Sequence, residues 1–476
     1  MAESRTGGES PKTNPIWMPD ELLQFIKRGT YSLLIKGFAG TGKTTLALTI
    51  LRALESKNNF FYISTRISPK QLFEYYPWLD RFVEQSLPAK SNDRAPEYEL
   101  LSSFEDARLD EPESLFERIT NQLMDIASPI IVIDSWDAIA SFMDREARLN
   151  NERVLQTWRE RAGAKLIFIS EHPADTTLDF LVDGIVELRQ NYYDGARIRE
   201  ILLLKLRGVR IARPSYIYTL ENSMFRCFAP YKPLKPPLIG KKANASPAVL
   251  SVTSDYIKSG YPQLDNSLGG GLPRKGVVLL DLDSYVNTSV AMAFLGRIVS
   301  NFVSSGNLVL LQPFDSIDPQ KILEYLGPYI LRKNLFKILW SGKISGLLEN
   351  IIVPGQNENN PSLSAIMHMK QKHSGKLLLN IIGSEMLQKF YHPNAKNTIE
   401  EFMTYIRANT DLTIAVIRHS EQDTIRRFSE ISDVRLRMLM INDTLFLQSL
   451  VPASTLYSMV FEPFSGGWQV HLEPVV

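Results

Sequence analysis

Leu33-Leu-Ile-Lys-Gly37-Phe38-Ala39-Gly40-Thr41-Gly42-Lys43-Thr44-Thr45 decides the fold of this chain. An apolar run, Tyr31 to Ile35, reads as a buried strand. A glycine-rich turn follows, and then a helix-compatible run with Leu46, Leu48, Ile50 and Leu51. Gly37, Gly42, Lys43 and Thr44 fill the pattern Gly-x4-Gly-Lys-Thr, which wraps successive backbone N–H groups around phosphates. Glycine is required because side chains block that approach and because some positions need positive φ. Lys43 brings a compact charge, Thr44 offers its hydroxyl to Mg2+, and the helix aims its positive end at the anion. The stretch predicts a nucleoside triphosphate site.

Composition bounds the rest. A chain of 476 residues has room for two to four domains with cores of their own. With 44% apolar and 22% charged residues it reads as an ordinary globular protein, and its net charge of +1 provides no general attraction to nucleic acid or anionic membrane. One cysteine, Cys227, rules out an internal disulfide and suits a reducing cytoplasm. The six histidines are scattered and show no metal-site spacing. Residues 1–15 are polar with Gly7, Gly8 and Pro11 and read as a disordered tail rather than a signal peptide. No apolar run reaches the roughly 18 residues needed to span a bilayer.

Strand-like and helix-like segments alternate through the first half. Strands are expected at 31–35, 59–65, 130–133, 165–170, 184–188, 200–206 and 215–220, with helices at 46–56, 69–76, 112–126 and 151–162 between the earlier ones. Repeated strand–helix–strand units imply a parallel sheet with ligands at the carboxyl ends of its strands. The last strands lack intervening helices and read as an antiparallel extension. Between Ala229 and Ser254, five prolines and four lysines suggest an extended linker, residues 229–253. The second half, 254–476, repeats the plan of the first, 16–228. Strands are expected at 276–282, 308–311, 376–382 and 412–417, and Asp183-Gly184 and Asp433-Val434 each open a terminal strand set. An internal duplication is implied.

Ile130-Ile-Val-Ile-Asp134-Ser135 is a second phosphate-site signal, a buried strand whose terminal carboxylate can hold the Mg2+ served by Thr44. Lys205-Leu-Arg207-Gly208 ends a strand whose alternation puts both cations on one face, suited to a phosphate. In ring-forming ATPases such residues reach a neighbour's γ-phosphate.

Together the loop, Asp134-Ser135 and Lys205-x-Arg207-Gly resemble the RecA-like ATPases of the KaiC group, and more closely the archaeal GvpD family. Tyr62-Ile-Ser-Thr-Arg66-Ile67-Ser-Pro69 with Phe73–Trp78, Leu115–Asn121 and Arg213–Leu220 carry the closer likeness, which extends over Leu22–Val476. KaiC-type domains have paired glutamates at the second strand end, one of which activates water. Here Arg66 and Ile67 stand at those positions, and arginine cannot be a general base. Asp137 and Glu171 are the substitutes within the pattern, and slow hydrolysis or a nucleotide switch is expected.

In the second half Gly260–Pro273 resembles the opening segment of a KaiC-type domain, but no phosphate loop follows. Asp281-Leu-Asp283-Ser-Tyr-Val-Asn-Thr288 holds carboxylates that would repel a triphosphate, Gly383 stands where the acidic strand end belongs, and Leu445–Leu450 has no cation. Arg426-Arg427 and Arg435-x-Arg437, interleaved with acids, read as a balanced charged surface.

The expectation is therefore an α/β protein with two tandem RecA-like P-loop domains on central, mostly parallel sheets, the second domain degenerate. ATP and Mg2+ are the expected ligands. Residues 37–45 hold the phosphates, Lys43 and Asp134 carry the chemistry, Thr44 and Asp134 serve the metal, and Lys205 and Arg207 read the γ-phosphate across a subunit interface of a homo-oligomer. The resemblance implies a cytoplasmic regulator whose nucleotide state controls binding to a protein partner, a transcription activator being the candidate. A DNA-repair accessory ATPase is the alternative. It is disfavoured by the neutral charge and the lack of a basic DNA loop.

Overall fold

The computed structural model describes residues 18–54, 60–80, 104–108, 112–123, 126, 128–144, 146, 154–155, 157, 159–174, 177–235, 251–314, 317–330, 332–342, 349–355, 360–385, 399–464 and 467–476. The expected tail, 1–15, and most of the expected linker, 236–250, lie outside them. The chain divides into two compact units, 1–229 and 230–475. Among the described residues no helix is long and apolar enough to cross a membrane.

The first unit contains strands β1 (Tyr31–Gly37), β2 (Phe60–Ser64), β3 (Phe104–Asp106), β4 (Ile130–Asp134), β5 (Lys165–Ser170), β6 (Gly184–Tyr193), β7 (Ala196–Leu206), β8 (Ser215–Thr219) and β9 (Arg226–Cys227). Its described helices are α1 (Asp20–Ile26), α2 (Lys43–Ala53), α3 (Pro69–Tyr75), α4 (Pro112–Leu123), α5 (Trp136–Ala140) and α6 (Thr177–Leu181). The sheet order is β3-β2-β4-β5-β1-β6-β7-β8-β9. Pairing is parallel from β3 to β6 and antiparallel from β7 onward. Every residue of β1 is buried, as befits a parallel strand covered on both faces. Alternation divides the core: Leu33, Ile35, Phe60 and Tyr62 join one apolar cluster, while Leu34, Phe61 and Ile63 join the other. The sequence pattern missed β3, a three-residue edge strand with no periodicity of its own, and the short β9.

In the second unit β10 (Tyr256–Ile257) and β11 (Leu272–Pro273) form a small ribbon. The main sheet comprises β12 (Gly276–Leu282), β13 (Leu308–Leu311), β14 (Phe336–Leu339), β15 (Ile351–Ile352), β16 (Leu378–Gly383), β17 (Leu412–Arg418), β18 (Val434–Ile441), β19 (Thr444–Val451), β20 (Ala453–Phe464) and β21 (Gly467–Pro474). Its order is β15-β14-β13-β16-β17-β12-β18-β19-β20-β21. With β12 set against β1, the run β14-β13-β16-β17-β12-β18-β19 repeats β3-β2-β4-β5-β1-β6-β7.

Local chemistry repeats as well. The β6–β7 hairpin turns on Asp194 and Gly195 (φ 44° and 77°), and the β18–β19 hairpin turns on Asn442 and Asp443 (φ 46° and 53°). Two consecutive left-handed residues give the turn whose twist matches paired strands. Asp183 Oδ2 accepts from Ser32 N at 3.1 Å, clipping the start of β6 to β1, and Asp433 Oδ2 accepts from Val277 N at 2.8 Å, clipping β18 to β12. Arg159 pairs with Asp183, and Arg407 pairs with Asp433 at 2.9 Å. Shared strand order, hairpins and clips make the two sheets two versions of one plan.

Candidate functional site

The loop between β1 and α2 lies at the carboxyl end of β1, between the ends of β5 and β6. Gly37, Gly40 and Gly42 have φ of 154°, 77° and 90°. A Cβ on Gly37 would lie 2.4 Å from Leu188 O, and one on Gly42 would lie 2.7 Å from the Leu220 side chain. Glycine is therefore dictated at Gly37 by close approach to backbone and at Gly42 by its φ of 90°. Gly42 is the N-cap of α2 and has no side chain to cap it, so the first-turn N–H groups keep their donors for a ligand. Lys43 Nζ folds back to donate to Phe38 O at 2.9 Å, and Phe38 itself is 68% exposed. Burial lowers the Lys43 pKa below that of an ordinary lysine, Glu171, Asp134 and Asp137 pull it back up, and Arg66 lowers it further.

Asp134 ends β4 beside this loop. Its Oδ2 accepts from Thr44 Oγ1 at 2.7 Å and from Tyr62 OH at 2.5 Å. Burial and the Asp134 charge raise the Tyr62 phenol well above its usual range, so it stays a donor. A hydroxyl and a carboxylate side by side are hard oxygen donors, the kind Mg2+ takes alongside phosphates and water. Among the described residues no group of three or more His, Cys, Asp or Glu forms a metal cage. Magnesium held through a nucleotide needs none. The residues present fit a magnesium–triphosphate complex.

Three residues to which the sequence reading gives no role fix the site. Tyr218 OH donates to Thr41 O at 2.5 Å, and Arg199 Nη1 donates to Gly40 O at 2.8 Å, pinning the loop backbone from β8 and β7. Thr45 Oγ1 meets Tyr76 OH at 3.0 Å. No local pattern reveals these contacts; Arg199 and Tyr218 are separated from the loop by 159 and 177 residues.

The structure brings Gly37–Thr45 and Asp134 together, but engages Lys205 and Arg207 elsewhere, Lys205 level with Leu34 in the middle of β1 and Arg207 beyond it toward the strand starts. Leu206 pairs with Gly184, the first residue of β6, which lies level with Leu33, the third residue of β1. The face assignment holds: Leu206 is buried, while Lys205 and Arg207 are not. Lys205 Nζ donates to Asp179 O at 2.9 Å, and Arg207 Nη1 lies 3.3 Å from Asp183 Oδ1. Neither serves the phosphate loop of its own unit. Asp137 is also committed, its Oδ2 accepting from Glu171 N at 2.5 Å and its Oδ1 from Ser170 Oγ at 3.2 Å.

In the second unit, the helix after β12, Thr288–Ser304, starts differently. Asn287 caps it through its side chain, which accepts from Ser289 N at 3.1 Å. Arg418 closes the preceding loop by donating to Val286 O at 2.6 Å and Thr288 Oγ1 at 2.8 Å. Gly383, matching Asp134 in strand order, could not carry a side chain: its Cβ would sit 2.4 Å from Pro313 O. Two sequence expectations need correction here. Arg435 and Arg437 are not a plain surface patch. Both lie on β18 next to β12, with Arg435 3.5 Å from Asp281 Oδ2 and Arg437 3.9 Å from Asp283 Oδ2. The carboxylates are likewise not open repellers, since buried Asp281 also meets His419 Nδ1 at 3.0 Å. Strand adjacency, absent from the linear pattern, pairs these charges internally.

A family model described as "GvpD gas vesicle protein, P-loop domain" matches residues 22–206. Protein GvpD1 of Halobacterium salinarum is 28% identical over 319 residues, covering 63% of this chain and 57% of that protein. Protein GvpD2 of the same organism is 26% identical over 294 residues, covering 59% and 58% respectively. The match spans somewhat over half the length of these curated relatives. With the loop, the strand-end aspartate and the sheet order already in place, residues 22–206 form a P-loop domain similar to that of the GvpD proteins.

Proposed function

We propose that this chain is an ATP-binding regulator in gas vesicle formation, with the nucleotide state of its first unit controlling capture of a protein partner. The observation that carries the reading is the Thr44–Asp134 contact beside a helix end left uncapped by Gly42. Backbone N–H groups of residues 38–44 and the Lys43 ammonium hold the triphosphate, and Thr44 and Asp134 hold Mg2+. The ion, when bound, offsets phosphate charge.

Hydrolysis is slow in this reading. Arg66 and Ile67 stand at the end of β2, Asp137 is tied to the turn after β5, and Glu171 is paired with Arg66. A water-activating carboxylate thus needs a rearrangement first. Such an enzyme dwells in its nucleotide-bound states, as a switch requires. The second unit is degenerate as a nucleotide site, a reading supported by the Asn287 cap, the closed Gly383 position and the internally paired Asp281. It keeps the scaffold for partner contact. The partner we favour is a transcription regulator, the class that the resemblance to the GvpD family implies; the family description matching residues 22–206 supports only the gas vesicle setting. Lys205 and Arg207 are engaged by Asp179 and Asp183 rather than by the loop of their own unit, so they would act on the γ-phosphate of a second copy in a homo-oligomer.

The test is capture of partners by the tagged full chain with ATP, with ADP and without nucleotide, with Lys43→Ala as control. A partner whose retention follows nucleotide in the native chain and not in the variant supports the reading. Retention indifferent to nucleotide overturns it.

A further inference from the structure

Arg66 and Glu171 form an ion pair that the nucleotide-binding reading uses only to keep Glu171 from activating water. Arg66 follows β2 and Glu171 follows β5, and β4 runs between those strands. The pair therefore bridges over the end of β4, where Asp134 stands. Both turns are anchored by backbone. Thr65 N donates to Asp134 O at 2.7 Å, Ser135 N donates to Thr65 Oγ1 at 2.8 Å, and Ser64 Oγ donates to Ile67 O at 2.6 Å. On the other side, Glu171 N and Ser170 Oγ are held by Asp137. What remains adjustable is the two side chains, 53% and 25% exposed.

Their charges reach the phosphate lysine, since Glu171 raises and Arg66 lowers the Lys43 pKa. Lys43 and Arg199 are bonded to carbonyls of the loop itself, whereas Arg66 is held by a single carboxylate. A terminal phosphoryl group carries more charge than a carboxylate and accepts a guanidinium fork in two parallel bonds. A nucleotide lacking that group offers no such competitor. A ligand shifts a two-state element only by its differential affinity for the two states, and here the difference is one phosphoryl group.

We propose that Arg66 and Glu171 are a latch that reads the γ-phosphate: closed on each other with a nucleoside diphosphate, opened with a triphosphate as Arg66 leaves Glu171 for the terminal phosphoryl oxygens. The latch rests on the nucleotide-binding reading and supplies its switch.

The test measures affinity of the full chain for a non-hydrolysable ATP analogue and for ADP, both with Mg2+, by titration calorimetry. Arg66→Ala should weaken the analogue about tenfold or more and leave ADP within about twofold, the loss of one charged hydrogen-bonding group. Arg66→Lys, which keeps the charge but not the fork, should fall between. Glu171→Gln should raise the analogue-to-ADP preference. Equal change toward both nucleotides, or none, in a wild-type background that binds both overturns the latch alone. A wild-type chain that binds neither overturns the nucleotide reading and the latch with it.

Discussion

Thr44 Oγ1 lies 2.7 Å from Asp134 Oδ2, joining side chains 90 residues apart at the carboxyl edge of the first sheet. The contact gives the expected metal two oxygen donors while leaving the loop's shape to its glycines. Asp134→Asn should therefore weaken nucleotide binding about ten- to a hundredfold with Mg2+ present, and little with Mg2+ chelated. Calorimetry under both conditions checks this. An equal loss without the metal would assign Asp134 to shaping the loop instead.

Tyr62 OH donates to that same oxygen at 2.5 Å from a fully buried ring. If Thr44 serves a bound Mg2+, as proposed, Tyr62 would be the group that keeps the carboxylate oriented. Tyr62→Phe removes one hydrogen bond to a charged acceptor and should raise the Mg2+ concentration for half-maximal nucleotide binding about tenfold. Metal-free affinity should stay unchanged. A fluorescent nucleotide titrated with Mg2+ reads both quantities.

Gly42→Ala puts a Cβ at φ 90° against Leu220, whereas Gly195→Ala puts one at φ 77° with nothing within 4 Å. The positive φ alone costs each about 1 kcal/mol. Both variants should melt a few degrees lower, but only Gly42→Ala should lose nucleotide binding. Comparing melting curves with binding isotherms separates backbone strain from damage to the site.

Asp183 supplies a pH dependence. Burial pushes its carboxyl up, but hydrogen bonds from Ser32 and the charge of Arg159 outweigh that and hold it below the usual value. A lowered folded-state pKa means the ionised group stabilises the fold above its unfolded value near 3.9, and that this contribution fades as pH falls through the lower folded value. Asp183→Asn should cost about 2–3 kcal/mol at pH 7, with a gap to wild type that narrows below about pH 3.9. Urea melts across pH 3 to 7 test this. A constant gap would assign the loss to packing.

The strand–loop–helix from Tyr31 to Ala53 was legible because its constraints are local: an apolar run, glycines where φ is positive, and a lysine and threonine at a helix start. Asp134 was legible as the end of four β-branched residues. The duplication also showed, because Asp183 and Asp433 open equivalent strands. Arg435 and Arg437 were misplaced because interleaved acids show only the local charge balance, not the strand lying alongside. Only the pairing of β18 with β12 brings them to Asp281 and Asp283.

By itself, then, the sequence determined that one half carries a phosphate loop and that its counterpart lacks one, since those properties are written in consecutive residues. The tertiary structure decided which distant groups surround the loop. Arg199, Tyr218, Tyr62 and the Arg66–Glu171 pair arrive through strand order. It also decided that Lys205 and Arg207 meet Asp179 and Asp183 instead of the loop, because β7 runs antiparallel to β6. Strand direction and neighbourhood are set by long-range packing of apolar faces, and no window of local sequence contains them.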